Sequence, residues 1–191
     1  MIENPAAAAL GPYVALNNAF SPAEVDQIVA IGDRLVLEPA AIGTDTVHNR
    51  NIRITRTAFF SRNPQTEPIY RKMEMLVRRI NEQVYQFDLT GFSENFQYTV
   101  YEGHEGGHYD WHVDQGLLQV NRKLSFSLQL SAPEEYEGCD LELFTSTDPA
   151  RAPRARGTLI AFPSYALHRV TPVVSGTRKS LVIWTQGPRF R

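Results

Sequence analysis

The spacing of apolar and polar residues divides the chain near residue 95. Before that point, residues 21–24 combine a hydroxyl cap, a proline and a glutamate, a pattern typical of a helix start, and predict a first amphipathic helix over 21–36. Apolar residues at steps of three and four predict a second helix over 67–85. Between the helices, β-branched residues in 51–60 predict a strand.

Beyond residue 95 the chain consists of short strand-forming runs separated by glycine, proline, asparagine and aspartate. Many short strands joined by turns favour a barrel or a double-sheet jelly roll. In 124–130 apolar and polar residues alternate without a fault, so Ser125, Ser127 and Gln129 share one face of a strand whose polar side lines a cavity. The predicted strands are 96–101, 111–114, 124–130, 141–144, 157–162, 167–174 and 180–185.

Composition limits the classes of function. A chain of 191 residues, 42% hydrophobic, suits one domain over 1–191, with a helical support region at 1–95 and a β core at 96–187. A net charge of −2 and a pI near 6.2 give no global attraction to a polyanion, and no base-reading motif is present, so we do not expect a nucleic-acid partner. The one cysteine, Cys139, excludes an internal disulfide, the common thiolate zinc sites and a zinc deaminase. Because residues 1–10 carry no signal or membrane-span pattern, we expect a soluble, cytoplasmic protein.

Three of the five histidines lie in the glycine-rich segment 101–115. His104, His108 and His112 are four residues apart, which would align them on one face of a helix. Three glycines in the same segment oppose a helix, since each costs about 1 kcal/mol relative to alanine. We therefore expect a loop that leads into a strand. His104 and His108 are expected to be exposed, with contact to substrate or metal as the open alternative.

A second group of residues predicts a metal site. On a strand, His112 and Asp114 point to the same side, although such a pair alone also fits an ordinary strand surface. His168, in a later strand-like run, supplies a third candidate ligand. Two imidazoles and one carboxylate leave coordination positions open, as in non-haem Fe(II) oxygenases. Arg178 follows ten residues later, and its planar charged fork suits a buried dicarboxylate.

The order of these motifs resembles the prolyl 4-hydroxylase-like branch of the 2-oxoglutarate/Fe(II) dioxygenases over roughly residues 96–187. The resemblance implies a mainly β fold, a double-stranded β-helix (jelly roll, cupin-like) core supported by N-terminal helices. It also implies a dioxygenase that uses Fe(II), 2-oxoglutarate and O2, with ascorbate as a candidate reductant, and that hydroxylates an unactivated C–H bond while 2-oxoglutarate is decarboxylated to succinate. The matching residues are Tyr101, Gly106-Gly107, Tyr109, His112, Asp114, 157–164, 168–173, Gly176, Arg178 and Trp184.

The resemblance assigns roles to particular residues. His112, Asp114 and His168 would hold the iron, and Arg178 would bind the far carboxylate of 2-oxoglutarate. The remaining candidates are Tyr101, Gln129 and Ser127 for the co-substrate, and Tyr109, Trp184 and His108 for the substrate pocket. The loop that follows Tyr101 is slightly longer than in relatives, and Gln129 occupies a position where relatives often carry a tyrosine. Tyr109 and Trp184 could instead be core aromatics, and Trp111 is expected to point away from His112 and pack.

Two classes of function remain open. One is the oxygenase; the other is a cupin-like barrel that is non-catalytic or holds another metal and works as a binding or sensor module. Arg178 favours the oxygenase, because a plain metal-binding barrel does not need a buried cation. The substrate is an amino acid, a peptide or another small molecule, contacted by loops at 40–62, 102–110 and 145–156. Segment 148–156 is expected to be an exposed loop, and the scattered arginines are expected to be solvated: Arg50, Arg53, Arg56, Arg62, Arg151, Arg154 and Arg156.

Overall fold

Two α-helices precede most of the strands in the computed structural model, which describes residues 11–40, 49–116, 119–144 and 148–189. The helices are α1 (Pro22–Gly32) and α2 (Glu67–Ile80). The strands are β1 (Val14–Leu16), β2 (Glu38–Pro39), β3 (Arg53–Ile54), β4 (Arg56–Phe60), β5 (Phe96–Glu102), β6 (His108–His112), β7 (Arg122–Gln129), β8 (Tyr136–Gly138), β9 (Leu141–Leu143), β10 (Ala150–Arg151), β11 (Leu159–Pro163), β12 (His168–Val170) and β13 (Val173–Gln186).

The strands form two antiparallel sheets. The larger sheet has the order β1-β11-β7-β13-β5-β4-β2, with β8 paired to β13. The smaller sheet has the order β10-β9-β12-β6-β3. Strand β13 is continuous over 14 residues and pairs first with β8 and then with β5 and β7. The predicted mainly β jelly roll with N-terminal helices is therefore confirmed.

Both predicted helices are present, and their ends have local causes. Helix α1 begins with a capping box, in which Ser21 accepts from the Glu24 amide and Glu24 accepts from the Ser21 amide. It ends at Gly32 instead of residue 36. A side chain at Gly32 would not fit, because the ring of Tyr98 lies 2.5 Å from the place that a Cβ of residue 32 would occupy. Helix α2 ends at Ile80 and continues as a π-helical turn to Tyr85, the predicted boundary.

Two apolar clusters stabilise the described part of the chain. The larger fills the space between the helices and one face of the larger sheet, and includes Ile28, Met73 and Leu128. The smaller, which includes Leu143 and Phe162, lies between the sheets. Because burial is the main favourable term in folding, the helices stabilise the sheet by covering its apolar face. The opposite face remains available for a cavity.

Two predicted strands are divided in the structure. Segment 51–60 is predicted as one strand, but it crosses from the smaller sheet to the larger at Thr55. The Thr55 carbonyl oxygen accepts from the Ala40 amide, and the Thr55 hydroxyl donates to the Val100 carbonyl oxygen. Segment 167–174 is divided between β12 and β13, because Pro172 lacks the N–H that a continuous ladder requires.

Segment 148–156 also differs from its prediction. Residues Ala150 and Arg151 pair with β9, and Ala152 is buried, so the segment is an edge of the smaller sheet and not wholly an exposed loop. Expectations for residues 1–10, and for parts of the loops 40–62 and 145–156, lie outside the described residues. Among those that are described, no helix has the length and apolar character needed to cross a bilayer.

Candidate active site

His112, Asp114 and His168 meet in a cavity between the two sheets. His112 ends β6, and His168 begins the neighbouring strand β12 directly opposite it. Asp114 lies beyond β6, so the expectation of a single strand carrying both residues is wrong. The amides of Asp114 and Gln115 both donate to the Ser164 carbonyl, at 2.9 and 2.8 Å. This bend turns the carboxylate back toward the two imidazoles.

Both imidazoles present the same nitrogen to the cavity. Nδ1 of His112 lies 2.7 Å from the Asp110 carbonyl, and Nδ1 of His168 lies 2.9 Å from the Ala166 carbonyl. A carbonyl only accepts, so each Nδ1 carries the proton and each Nε2 keeps a free lone pair. The Nε2 atoms lie 3.8 and 3.6 Å from the carboxylate oxygens of Asp114. All three donors fall within 4.8 Å of one another, a spacing that one small cation spans after small side-chain rotations.

The Asp114 carboxylate is held by groups that favour its charged form. Ser125 Oγ donates to it at 2.6 Å and lies 3.0 Å from Ser164 Oγ. Burial opposes ionisation, but the two imidazoles, Ser125 and the nearby Trp184 indole together hold the pKa of Asp114 below its usual value. Trp184 Nε1 is itself buried without a hydrogen-bond partner. Burial, reinforced by His168, keeps the pKa of His112 far below its usual value, so this imidazole is neutral and able to act as a metal ligand.

Arg178 provides a buried positive charge in the same cavity. It is 1% exposed, and its Nε and Nη2 donate to Gln129 Oε1 at 3.2 and 2.9 Å. No carboxylate within the described chain forms an ion pair with it. Tyr101 lies directly opposite on β5, with its ring centroid 5.7 Å from the guanidinium carbon. Burial raises the pKa of Tyr101 to about 12, so its hydroxyl remains a donor at neutral pH.

The cavity has a volume of about 740 Å³, within the usual range for small-molecule sites. Of the candidates from sequence, the lining includes the three candidate metal ligands as well as Tyr101, Ser127, Tyr109, Arg178 and Trp184. Gln129 is not part of the lining, but it accepts hydrogen bonds from Arg178, which is.

The other candidates lie outside the lining. His104 is largely exposed, and His108 has Nδ1 2.9 Å from the Gly106 carbonyl oxygen and Nε2 3.4 Å from that of Asn51. Trp111 packs against Phe144, edge to face.

Several residues around the cavity carry no motif that the sequence could reveal. Arg122 donates through Nε and Nη2 to Glu94, donates through Nη1 to the Asp114 carbonyl at 3.2 Å, and stacks on Trp184 at 3.9 Å. Arg53, expected to be solvated, lines the cavity instead. Alternation along β7 placed Ser125 on the correct face, but only the strand register shows that it reaches Asp114.

The donor set fits Fe(II). Two neutral imidazole nitrogens and one carboxylate on one side of a cation are the ligands of non-haem iron oxygenases, and they leave the opposite positions open. Both imidazoles are oriented by carbonyl oxygens and the carboxylate by a serine, as outer contacts of metal ligands usually are. A jelly roll with this donor set is the combination expected of a non-haem iron oxygenase.

Comparisons with known proteins agree with this class. Residues 96–186 match the model of the 2OG-Fe(II) oxygenase superfamily. A PKHD-type hydroxylase of Hyphomonas neptunium is 42% identical over 89 residues, which cover 43% of this chain and 39% of that protein. The chain thus spans about two fifths of the length of this curated relative.

Solved structures share the fold. A prolyl-4-hydroxylase of Pseudomonas putida superposes with a TM-score of 0.75 at 20% identity, over 93% of both chains. A prolyl hydroxylase of Trichoplax adhaerens, in complex with a hypoxia inducible factor peptide fragment, superposes with a TM-score of 0.77 at 18% identity, over 92% of this chain and 83% of that one. Residues 96–186, just under half of the chain, are thus similar to the 2OG-Fe(II) oxygenase superfamily, and the fold of the chain is similar to that of these prolyl hydroxylases.

Proposed function

We propose that this protein is an Fe(II)- and 2-oxoglutarate-dependent dioxygenase that hydroxylates an unactivated C–H bond of an amino-acid, peptidyl or small-molecule substrate. The observation that carries the proposal is the presence, in one cavity, of three converging ligand atoms and a buried guanidinium without an acidic partner among the described residues. When bound, Fe(II) with 2-oxoglutarate and O2 supplies the oxidising chemistry, and 2-oxoglutarate is converted to succinate.

The protein's own residues bind and orient the reactants. His112, Asp114 and His168 hold the cation, and Ser125 keeps the Asp114 carboxylate in one orientation. Arg178 binds the far carboxylate of 2-oxoglutarate, because a guanidinium recognises a carboxylate through two parallel hydrogen bonds.

Other groups line the two ends of the space that the co-substrate would occupy. Gln129 fixes the plane of the Arg178 guanidinium, while the protonated Tyr101 hydroxyl and Ser127 donate from the cavity wall. The Trp184 indole N–H lies on the metal side, near Asp114. Tyr109, stacked 3.4 Å from His112, borders the space for the substrate.

The prolyl hydroxylases that share the fold support a substrate with a prolyl-like C–H bond, either in a peptide or in a small molecule. We propose ascorbate as the reductant that keeps the iron ferrous between turnovers. We also propose a cytosolic location, with which the buried free thiol of Cys139 is compatible.

Anaerobic titration tests the site. Fe(II) followed by 2-oxoglutarate is expected to produce the weak visible charge-transfer band of a chelated 2-oxo acid. His112→Ala should abolish metal binding, and Arg178→Gln should weaken 2-oxoglutarate binding by about 10- to 100-fold, the value of a charged hydrogen bond. His104→Ala and Arg151→Gln, exposed residues of the same types, are the matched controls. Unaltered binding in both site variants would refute the assignment.

A further inference from the structure

Three arginines line the cavity, and they differ in what neutralises them. Arg122 is fully engaged by Glu94, which accepts from both its Nε and Nη2. Arg178 donates to the neutral Gln129 and is assigned to 2-oxoglutarate. Arg53 has no acidic partner within the described residues. Among the described residues, its charge is therefore the one in the cavity that neither an acidic side chain nor the proposed co-substrate neutralises.

Arg53 is partly buried and lies beside the proposed metal site. It is paired with Tyr109 across β3 and β6, and its guanidinium carbon is 4.5 Å from the centroid of the Tyr109 ring. The Tyr109 ring in turn stacks on His112, with centroids 3.4 Å apart and planes 13° apart. Only one aromatic ring thus separates the guanidinium from a metal ligand. Stacking also restricts the orientation of the guanidinium.

One polar atom of Arg53 lacks a partner. Its Nε is buried and has no hydrogen-bond acceptor. Such a group costs free energy in the folded protein unless a ligand satisfies it, and a charged donor costs more than a neutral one. A cavity wall that carries a buried, unsatisfied, charged donor is suited to an anionic acceptor.

The sum of the charges in the site, once metal and co-substrate are bound, also favours an anionic ligand. The dication, Asp114, Arg178 and the 2-oxoglutarate dianion together sum to zero. Glu94 neutralises Arg122. Glu38, the other acidic residue of the lining, is exposed, and water screens its charge. The space beside Tyr109 therefore keeps the positive charge of Arg53 after both metal and co-substrate have bound.

We propose that Arg53 binds a carboxylate of the substrate, so that the enzyme selects acids whose carboxylate lies close to the C–H bond that is oxidised. This inference rests on the proposed function and narrows its substrate class. The carboxylate belongs either to a free amino-acid-like compound or to an acidic side chain next to the target residue of a peptide. Both sources present the same planar acceptor to the guanidinium.

Binding to the Mn(II)-loaded protein tests the proposal without turnover. Mn(II) and 2-oxoglutarate are titrated first, because failure at this stage contradicts the proposed function itself. Proton relaxation by Mn(II) then measures the affinities of two matched pairs. The first pair is N-acetylproline and N-acetylprolinamide, and the second is the blocked dipeptides proline-glutamate and proline-glutamine.

In the native protein, at least one acid should bind about tenfold more tightly than its uncharged partner. Arg53→Gln should remove this preference, and Arg53→Lys should retain part of it, since lysine keeps the charge but loses the planar stacking. Arg56→Gln is the matched control, because Arg56 is paired with Glu105. A preference in the first pair alone identifies a free acid, and one in the second pair alone identifies a peptide.

Three results would overturn the inference once metal and 2-oxoglutarate have been shown to bind. The first is equal binding of acid and amide. The second is no binding of either acid at millimolar concentration. The third is a preference that persists in Arg53→Gln, and a loss of 2-oxoglutarate affinity in the same variant would then move Arg53 to the co-substrate site.

Discussion

The two faces of the larger sheet are built by the same strands but serve different purposes. On β7, the residues that face the helices are apolar and fully buried, whereas the residues between them are polar, and two of these bond Asp114 or Arg178. The helix-facing residues are Leu124, Phe126 and Leu128, and the cavity-facing polar residues are Ser125, Ser127 and Gln129. Packing against the helices thus supplies stability, and the residues of the cavity face are available for binding.

Asp114→Ala is expected to have the largest effect, with a loss of metal affinity and no loss of the fold. Loss of one of three ligands should lower metal affinity by more than the roughly 100-fold that changes to outer contacts typically cost. The fold should persist, because the helix-facing core is untouched. Calorimetric titration with Mn(II) and far-ultraviolet circular dichroism check both statements. Tight metal binding in this variant would remove Asp114 from the site.

The opposite result is expected from Leu128→Ala, which should lower the free energy of unfolding by about 2–5 kcal/mol through the cavity it creates. Metal affinity of the folded fraction should change little. Ser127→Ala, the preceding residue on the cavity face, is the control and should cost less than about 1 kcal/mol. Urea denaturation measures both variants. Equal destabilisation would show that the two faces do not divide these tasks.

A smaller effect on binding is expected from Ser125→Ala. The variant removes the 2.6 Å bond to Asp114 and should weaken metal binding by about 10- to 100-fold. Ser180→Ala, which also lines the cavity, should leave metal affinity unchanged. Mn(II) titration distinguishes them. A similar loss in both variants would indicate a general effect of cavity polarity.

The smallest effect concerns the helix layer alone. Ser21→Ala removes the cap of α1 and should cost about 1 kcal/mol of stability, because the first amides of the helix lose an acceptor. Metal and 2-oxoglutarate affinities should not change. The exposed Ser93→Ala serves as a control for thermal denaturation. Weaker metal binding in Ser21→Ala would mean that the helices influence the cavity as well as the core.

Much of the fold could be predicted because its signals are local. Alternation along β7, the cap at Ser21 and the period of α2 each depend on neighbouring residues, and all three are present in the structure. The sheet change at Thr55 and the division at Pro172 depend on pairing with distant strands. No local pattern encodes such pairing, so those two boundaries were wrong.

The candidate site shows the same division. Residue types and their order were sufficient to select three candidate ligands that the structure brings together. The bond of Ser125 to Asp114 could not be predicted, because it joins β7 to the bend that follows β6. Arg53 was expected to be solvated since arginine usually is. Only its position beside Tyr109 shows otherwise.

The continuity of β13 has a consequence for the choice of co-substrate. This one strand carries Arg178, to which we assign the far carboxylate of 2-oxoglutarate, and Trp184, beside the proposed metal ligand Asp114. It is hydrogen-bonded to β5 on one side and to β7 on the other, so the backbone between the two residues cannot lengthen or slide. Strand β13 thus fixes the distance between the two ends of the co-substrate space. A diacid one methylene longer would require the hydrogen-bonded strands to shift in register.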